Sequence, residues 1–132
     1  MAVGSGGDVA PMASVAAKLA DRGFETTLLA PARYKHFTEN TGVAFQSIGA
    51  DEIFSEVFDG EDIWHPLEGP TAAWRYYGAA MRSGFQVLRQ GWSATDTILV
   101  SSSFAVAARL AEELDGYRNT TVHLSPSVIF SA

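Results

Sequence analysis

The hydrophobic period of this chain switches between helix and strand several times within its first fifty residues, and that switching restricts the fold more than any other feature. Pro11 suits a first helical turn, Met12, Val15, Ala16, Leu19 and Ala20 follow at helical spacing, and Gly23 offers a left-handed stop. Phe24 to Ala30 (FETTLLA) reads as a strand. Pro31 restarts a helix through Tyr34, Phe37 and Thr38, closed by Asn40 and Gly42, and Val43 to Ile48 (VAFQSI) reads as another strand. Strands separated by helices in this way pair in parallel through crossovers. The expected fold class is therefore α/β, a Rossmann-like parallel sheet with helices on both faces.

The same alternation continues. From Asp51 to Asp62 the acids Asp51, Glu52, Glu56, Asp59, Glu61 and Asp62 mark a loop or short helix. Beyond Pro70 the residues Trp74, Tyr77, Met81, Phe85, Leu88 and Trp92 form one apolar stripe on the longest predicted helix, flanked by Arg75, Arg82 and Arg89. Thr95 to Val100 (TDTILV) reads as a buried strand, Ser101, Ser102 and Ser103 as an N-cap cluster, Phe104 to Leu114 as a helix, and Asn119 to Leu124 (NTTVHL) as a last strand. No repeat, low-complexity tract or interdomain linker interrupts the chain. Only Met1-Ala2-Val3 precedes the first glycines, too short for the strand that should feed them, and no closing element follows Ser131-Ala132, so the chain reads as a fragment of a larger domain.

Charge narrows the partners. Nine Lys and Arg against 15 Asp and Glu give a net charge of −6, which offers no broad cationic face to nucleic acid or an acidic membrane. The absence of cysteine removes disulfides and thiolate chemistry and is compatible with the cytoplasm. No apolar run reaches the roughly 18–20 residues of a spanning helix, and the expected location is cytoplasmic.

The glycine-rich stretch Gly4-Ser5-Gly6-Gly7-Asp8-Val9-Ala10-Pro11-Met12 is the chemical focus. A P-loop needs Lys and then Ser or Thr where Asp8-Val9 stand. A dinucleotide-binding turn fits Gly4-x-Gly6 but meets Val9 at its third glycine, and the next strand ends in Leu29-Ala30-Pro31 with no acid for a ribose hydroxyl. A third arrangement puts the glycines at the carboxyl end of a first strand, with Asp8 just before a helix amino terminus and facing the ligand crevice. Asp8 as a simple helix cap shares that geometry and stays open.

From Gly4 to Gly49 these residues resemble the opening of the acceptor-binding N-terminal domain of GT-B glycosyltransferases, particularly family 28 and the enzymes that glycosylate antibiotic aglycones and sterols. The shared pattern is G-[ST]-x-G-D-[VI]-x-P, a helix, R-G-[HF]-x-[VT]-[TS]-L, a short helix and G-[IV]-x-F. Val122 to Ala132 (VHLSPSVIFSA) is similar to the matching stretch of the rhamnosyltransferases that build rhamnolipids. The resemblance implies that residues 1–132 are an incomplete N-terminal domain, with the C-terminal nucleotide-sugar-binding domain absent. It also implies Asp8 as the general base that takes the acceptor's hydroxyl proton. Plant relatives place His there and orient it with an Asp beyond strand four; this chain has Ser101-Ser102-Ser103 beyond that strand, and a carboxylate base has no tautomer to fix.

Ser5, Gly6 and Gly7 would bring an acceptor close to Asp8, the two glycines by turning tightly. Trp74, Tyr77 and Met81 have two open readings, an apolar acceptor pocket or plain core. Ser102 and Ser103 either cap a helix or contact acceptor hydroxyls. His123, followed by Ser125, is either a crevice contact or a hydrogen-bonded core residue, whereas His36 and His65 read as surface. No histidine pair has metal-ligand spacing, and no metal or cofactor is expected. The nucleotide sugar enters as co-substrate.

The expected function is transfer of a hexosyl or deoxyhexosyl group from that donor to a hydroxyl of a lipid or hydrophobic small molecule, in an enzyme of which this fragment alone is inactive. Exposed sheet edges would favour self-association. The alternative from another class is a stand-alone Rossmann-like module that binds a nucleotide or a partner without catalysis.

Overall fold

The computed structural model describes residues 1–58 and 69–125. His65, Asp59, Glu61, Asp62 and the stretch after Ser125 lie outside the described residues. In chain order the elements are α1 (Gly6–Asp21), β1 (Thr27–Ala30), a 3₁₀ helix (Ala32–Thr38), β2 (Ala44–Ser47), α2 (Asp51–Phe58), α3 (Gly69–Gly91), β3 (Ile98–Ser102), α4 (Val106–Asp115) and β4 (Arg118–Val122).

β1 pairs in parallel with β2, Thr27 opposite Ala44 through Ala30 opposite Ser47. β3 pairs in parallel with β4, Ile98 opposite Arg118 through Ser102 opposite Val122. Met1 to Val3 joins the two pairs. The Met1 nitrogen donates to the Val100 carbonyl at 2.6 Å, Ser102 N–H returns to the Met1 carbonyl at 3.0 Å, and Ala2 N–H donates to the Leu29 carbonyl at 2.8 Å. The first two bonds make the parallel-ladder pattern about Ser101. The segment that looked too short for a strand thus holds the central place, because its partners on both sides supply the order that three residues cannot supply alone.

The strands alternate their side chains between two cores, as the pleat requires. Ala2, Leu28 and Ala30 meet Val9, Met12, Ala13 and Ala16 of α1 on one face. Met1, Val3, Leu29 and Leu99 meet α2, α3 and α4 on the other. The α/β, Rossmann-like arrangement with helices on both faces is present. α1 leaves the central segment toward β1, and α4 leaves β3 toward β4.

Four local expectations are corrected. α1 starts at Gly6, ahead of Pro11, which sits inside the helix. The helix after Pro31 is 3₁₀. α3 buries Tyr76, Ala80, Gly84 and Leu88, while Tyr77, Phe85 and Trp92 pack at its margin and Trp74 is 72 % exposed. The small residues decide that face: a Cβ at Gly84 would overlap the Met1 side chain and lie 3.3 Å from Ala107 Cβ, so α3 turns its flattest strip toward the sheet and α4. Finally, Ser101 and Ser102 belong to β3, and α4 takes Ala105 as N-cap without a side-chain bond. Ser101 Oγ donates to Asn119 Oδ1 at 2.9 Å, and Ser102 Oγ accepts from Val3 N–H at 3.3 Å. Neither serine is available as a cap.

Candidate active site

The loop that leaves the central segment is shaped by Gly4, whose φ of +128° lies outside the range comfortable for a side chain. A Cβ there would overlap Asp8 Oδ2. By contrast, a Cβ at Gly6 would lie 3.7 Å from Tyr34 and one at Gly7 would lie 3.6 Å from Ser5 Oγ, both ordinary contacts. The tight turn expected of Gly6 and Gly7 therefore belongs to Gly4, and Gly6 and Gly7 form the first turn of α1.

Ser5 is the N-cap of α1 and Asp8 stands in its first turn, three residues on. Ser5 N–H donates to Asp8 Oδ2 at 2.8 Å and Ser5 Oγ–H donates to the same atom at 2.9 Å. This is the returning half of a capping box, in which the acid satisfies the N-cap amide and sits where the helix dipole favours negative charge. Asp8 is thus neither the cap residue nor outside the helix. Both bonds anchor the same carboxylate oxygen, Oδ2.

Asp8 opens on a crevice lined by Ser102, Ser103, Phe104, Leu124 and Ser125, with an empty volume of about 280 Å³ that is open to solvent. Its walls come from the loops after the central segment, β3 and β4, all at the carboxyl ends of parallel strands. The chain leaves the central segment toward one side of the sheet and β3 toward the other, so the crevice lies at the topological switch point, where open α/β sheets bind ligands. Phe104 is 44 % exposed and stacks on Tyr77 with ring centroids 5.1 Å apart and planes at 25°. Burial, and then the charge of Asp8, raise the Tyr77 phenol above its ordinary value and keep it a hydrogen-bond donor.

The sequence-predicted residues separate into groups. Asp8, Ser102, Ser103 and Ser125 line the crevice together. His123 reaches the same edge through Ser103, its Nδ1 lying 3.1 Å from Ser103 Oγ. Tyr77 borders it through Phe104, and Trp74 meets Tyr77 in a T-shaped pair with centroids 6.5 Å apart. Met81 is half-buried on α3 and does not line the crevice. Ser5 reaches the site as the holder of Asp8. Phe104 and Leu124 were not singled out in the sequence; their signal is position, Phe104 shortly beyond one predicted strand and Leu124 the last residue of another.

Among the described residues no group of three or more His, Asp or Glu side chains is placed to hold a metal ion, and no helix is long and apolar enough to cross a membrane. Residues 1–115 match the glycosyltransferase family 28 N-terminal domain. No curated protein matches the chain at a meaningful level.

Proposed function

This chain belongs to glycosyltransferase family 28, and from that premise we propose that it forms the acceptor-binding side of a cytoplasmic hexosyltransferase. The sugar passes from a nucleotide-sugar donor to a hydroxyl of a lipid or other hydrophobic small molecule, in keeping with the resemblance to rhamnolipid, antibiotic and sterol enzymes. The observation that supports this reading best is the Asp8 carboxylate at the switch-point crevice, with Oδ2 held by Ser5 and apolar Phe104 and Leu124 alongside.

An alcohol is a weak nucleophile at neutral pH. Asp8 takes its proton while the acceptor oxygen bonds to the anomeric carbon and the bond from that carbon to the diphosphate oxygen breaks, so no free alkoxide forms. Ser103 and Ser125 offer hydroxyls to the acceptor's polar end, and Phe104 with Tyr77 offers an aromatic surface to its apolar body. The crevice is open to solvent, which suits one wall of a two-sided site.

In this proposal a C-terminal domain of the full-length enzyme holds the donor, with no metal needed for its diphosphate, as the resemblance to GT-B enzymes implies. Holding both substrates together is worth several kcal/mol of the barrier, so these residues alone do not turn over. The test is a transfer assay with full-length enzyme, nucleotide-activated hexoses labelled in the sugar, and hydrophobic acceptors paired with their deoxy counterparts. Label should appear only on acceptors that carry the hydroxyl. An enzyme that binds a donor yet transfers to none of them would overturn the reading.

A further inference from the structure

Ser103 and His123 meet because of strand register. Ser102 and Val122 close β3 and β4 as opposite members of one parallel pair, so the next residue of each strand leaves the same edge of the sheet beside the other. There Ser103 Oγ lies 3.1 Å from His123 Nδ1. Ser103 does not cap the helix that follows, since α4 takes Ala105 as its N-cap. It lines the crevice with Asp8 instead.

A serine hydroxyl has one proton to give and lone pairs to offer, and the partner of that proton decides which of the two a ligand meets. We propose that His123 is a positioning residue for the acceptor: with its ring proton on Nε2, the tautomer an exposed imidazole favours in water, its Nδ1 takes the Ser103 proton and turns the Ser103 lone pairs into the crevice. Asp8, as a carboxylate, also only accepts. Two acceptors on one crevice call for two donors. The acceptor class is therefore narrowed to alcohols that carry a second O–H or N–H group beside the reacting hydroxyl, because an ether, ester or carboxylate there leaves Ser103 facing another acceptor. The inference rests on the transferase reading, with Asp8 as the base.

The test compares kcat/KM of the full-length enzyme for decanol and for the decane diol whose hydroxyls sit on its first two carbons. The diol should be preferred about tenfold, the size of one hydrogen bond at an open crevice. His123→Phe should bring the two alcohols within about twofold, whereas His123→Asn, whose Oδ1 can accept where Nδ1 did, should keep most of the preference. A wild-type enzyme indifferent to the second hydroxyl overturns the inference, and so does a preference that survives His123→Phe or falls equally in both variants. Nitrogen NMR of His123 in the same protein, without substrate, reads the tautomer: an unprotonated Nδ1 is expected, and a protonated Nδ1 overturns the inference even if neither alcohol is a substrate. Asp8→Asn should slow transfer to both alcohols alike, so a failure of Asp8 as the base shows in that rate while the diol ratio is read separately.

Discussion

Ser5 donates two hydrogen bonds to one oxygen of Asp8, from its backbone N–H at 2.8 Å and from its hydroxyl at 2.9 Å. The pair does two jobs at once, ending the helix cleanly and aiming the carboxylate. Ser5→Ala removes the hydroxyl bond and weakens the cap. It should lower stability by about 1 kcal/mol, measured by urea unfolding of the chain, a typical loss for an N-cap serine.

The glycines of the turn should respond in opposite directions. Gly4→Ala brings a Cβ into Asp8 Oδ2 at a φ of +128°, and should cost about 2 kcal/mol or more. Gly7→Ala meets only Ser5 Oγ, at 3.6 Å, inside α1. It should be neutral or stabilise by up to about 1 kcal/mol, since alanine loses less backbone freedom. Equal losses in the two variants by chemical denaturation would place the strain elsewhere.

Ala50 has a φ of +68°, and its carbonyl accepts the first helical bond of α2 from Phe54 N–H. A side chain in that left-handed conformation costs roughly 1 kcal/mol that glycine avoids. Ala50→Gly should therefore raise stability, against the usual direction for that substitution, and thermal unfolding reads the sign.

Arg89 clamps Asp115 through two parallel bonds, Nε to Oδ2 at 2.8 Å and Nη2 to Oδ1 at 2.6 Å, tying α3 to the end of α4. Hydrogen bonding from Arg89 holds the Asp115 carboxyl below its ordinary value. A depressed folded pKa means that the pair's contribution is fully present above the unfolded value, near pH 4, and is lost as pH falls through the folded value. Asp115→Asn should flatten that part of the stability profile below about pH 4 and leave the slope at neutral pH unchanged.

Much of this architecture was legible because it rests on local period. The alternation from Pro11 to Ile48, the long helix around Leu88 and the strand at Leu99 all follow from the spacing of apolar side chains. Met1 to Val3 was not legible as the central segment, because its order comes from Leu29, Val100 and Ser102. The buried face of α3 was missed by one residue: large aromatics drew attention to Tyr77 and Trp74, while Ala80 and Gly84, which permit close packing, carry no hydrophobic signal. At the site, Asp8, Ser102, Ser103 and Ser125 were legible by type and place. Phe104 and Leu124 needed the fold, since only the parallel order of β3 and β4 brings their following loops to Asp8.

The most direct test of Asp8 as the base is Asp8→Asn in the full-length enzyme, with steady-state transfer and donor binding measured side by side. Asparagine keeps an oxygen that can accept from Ser5 but cannot take the acceptor's proton. The rate should fall by about a hundredfold or more, the usual worth of a positioned general base, with donor affinity unchanged. A variant that transfers sugar at close to the wild-type rate would contradict the account.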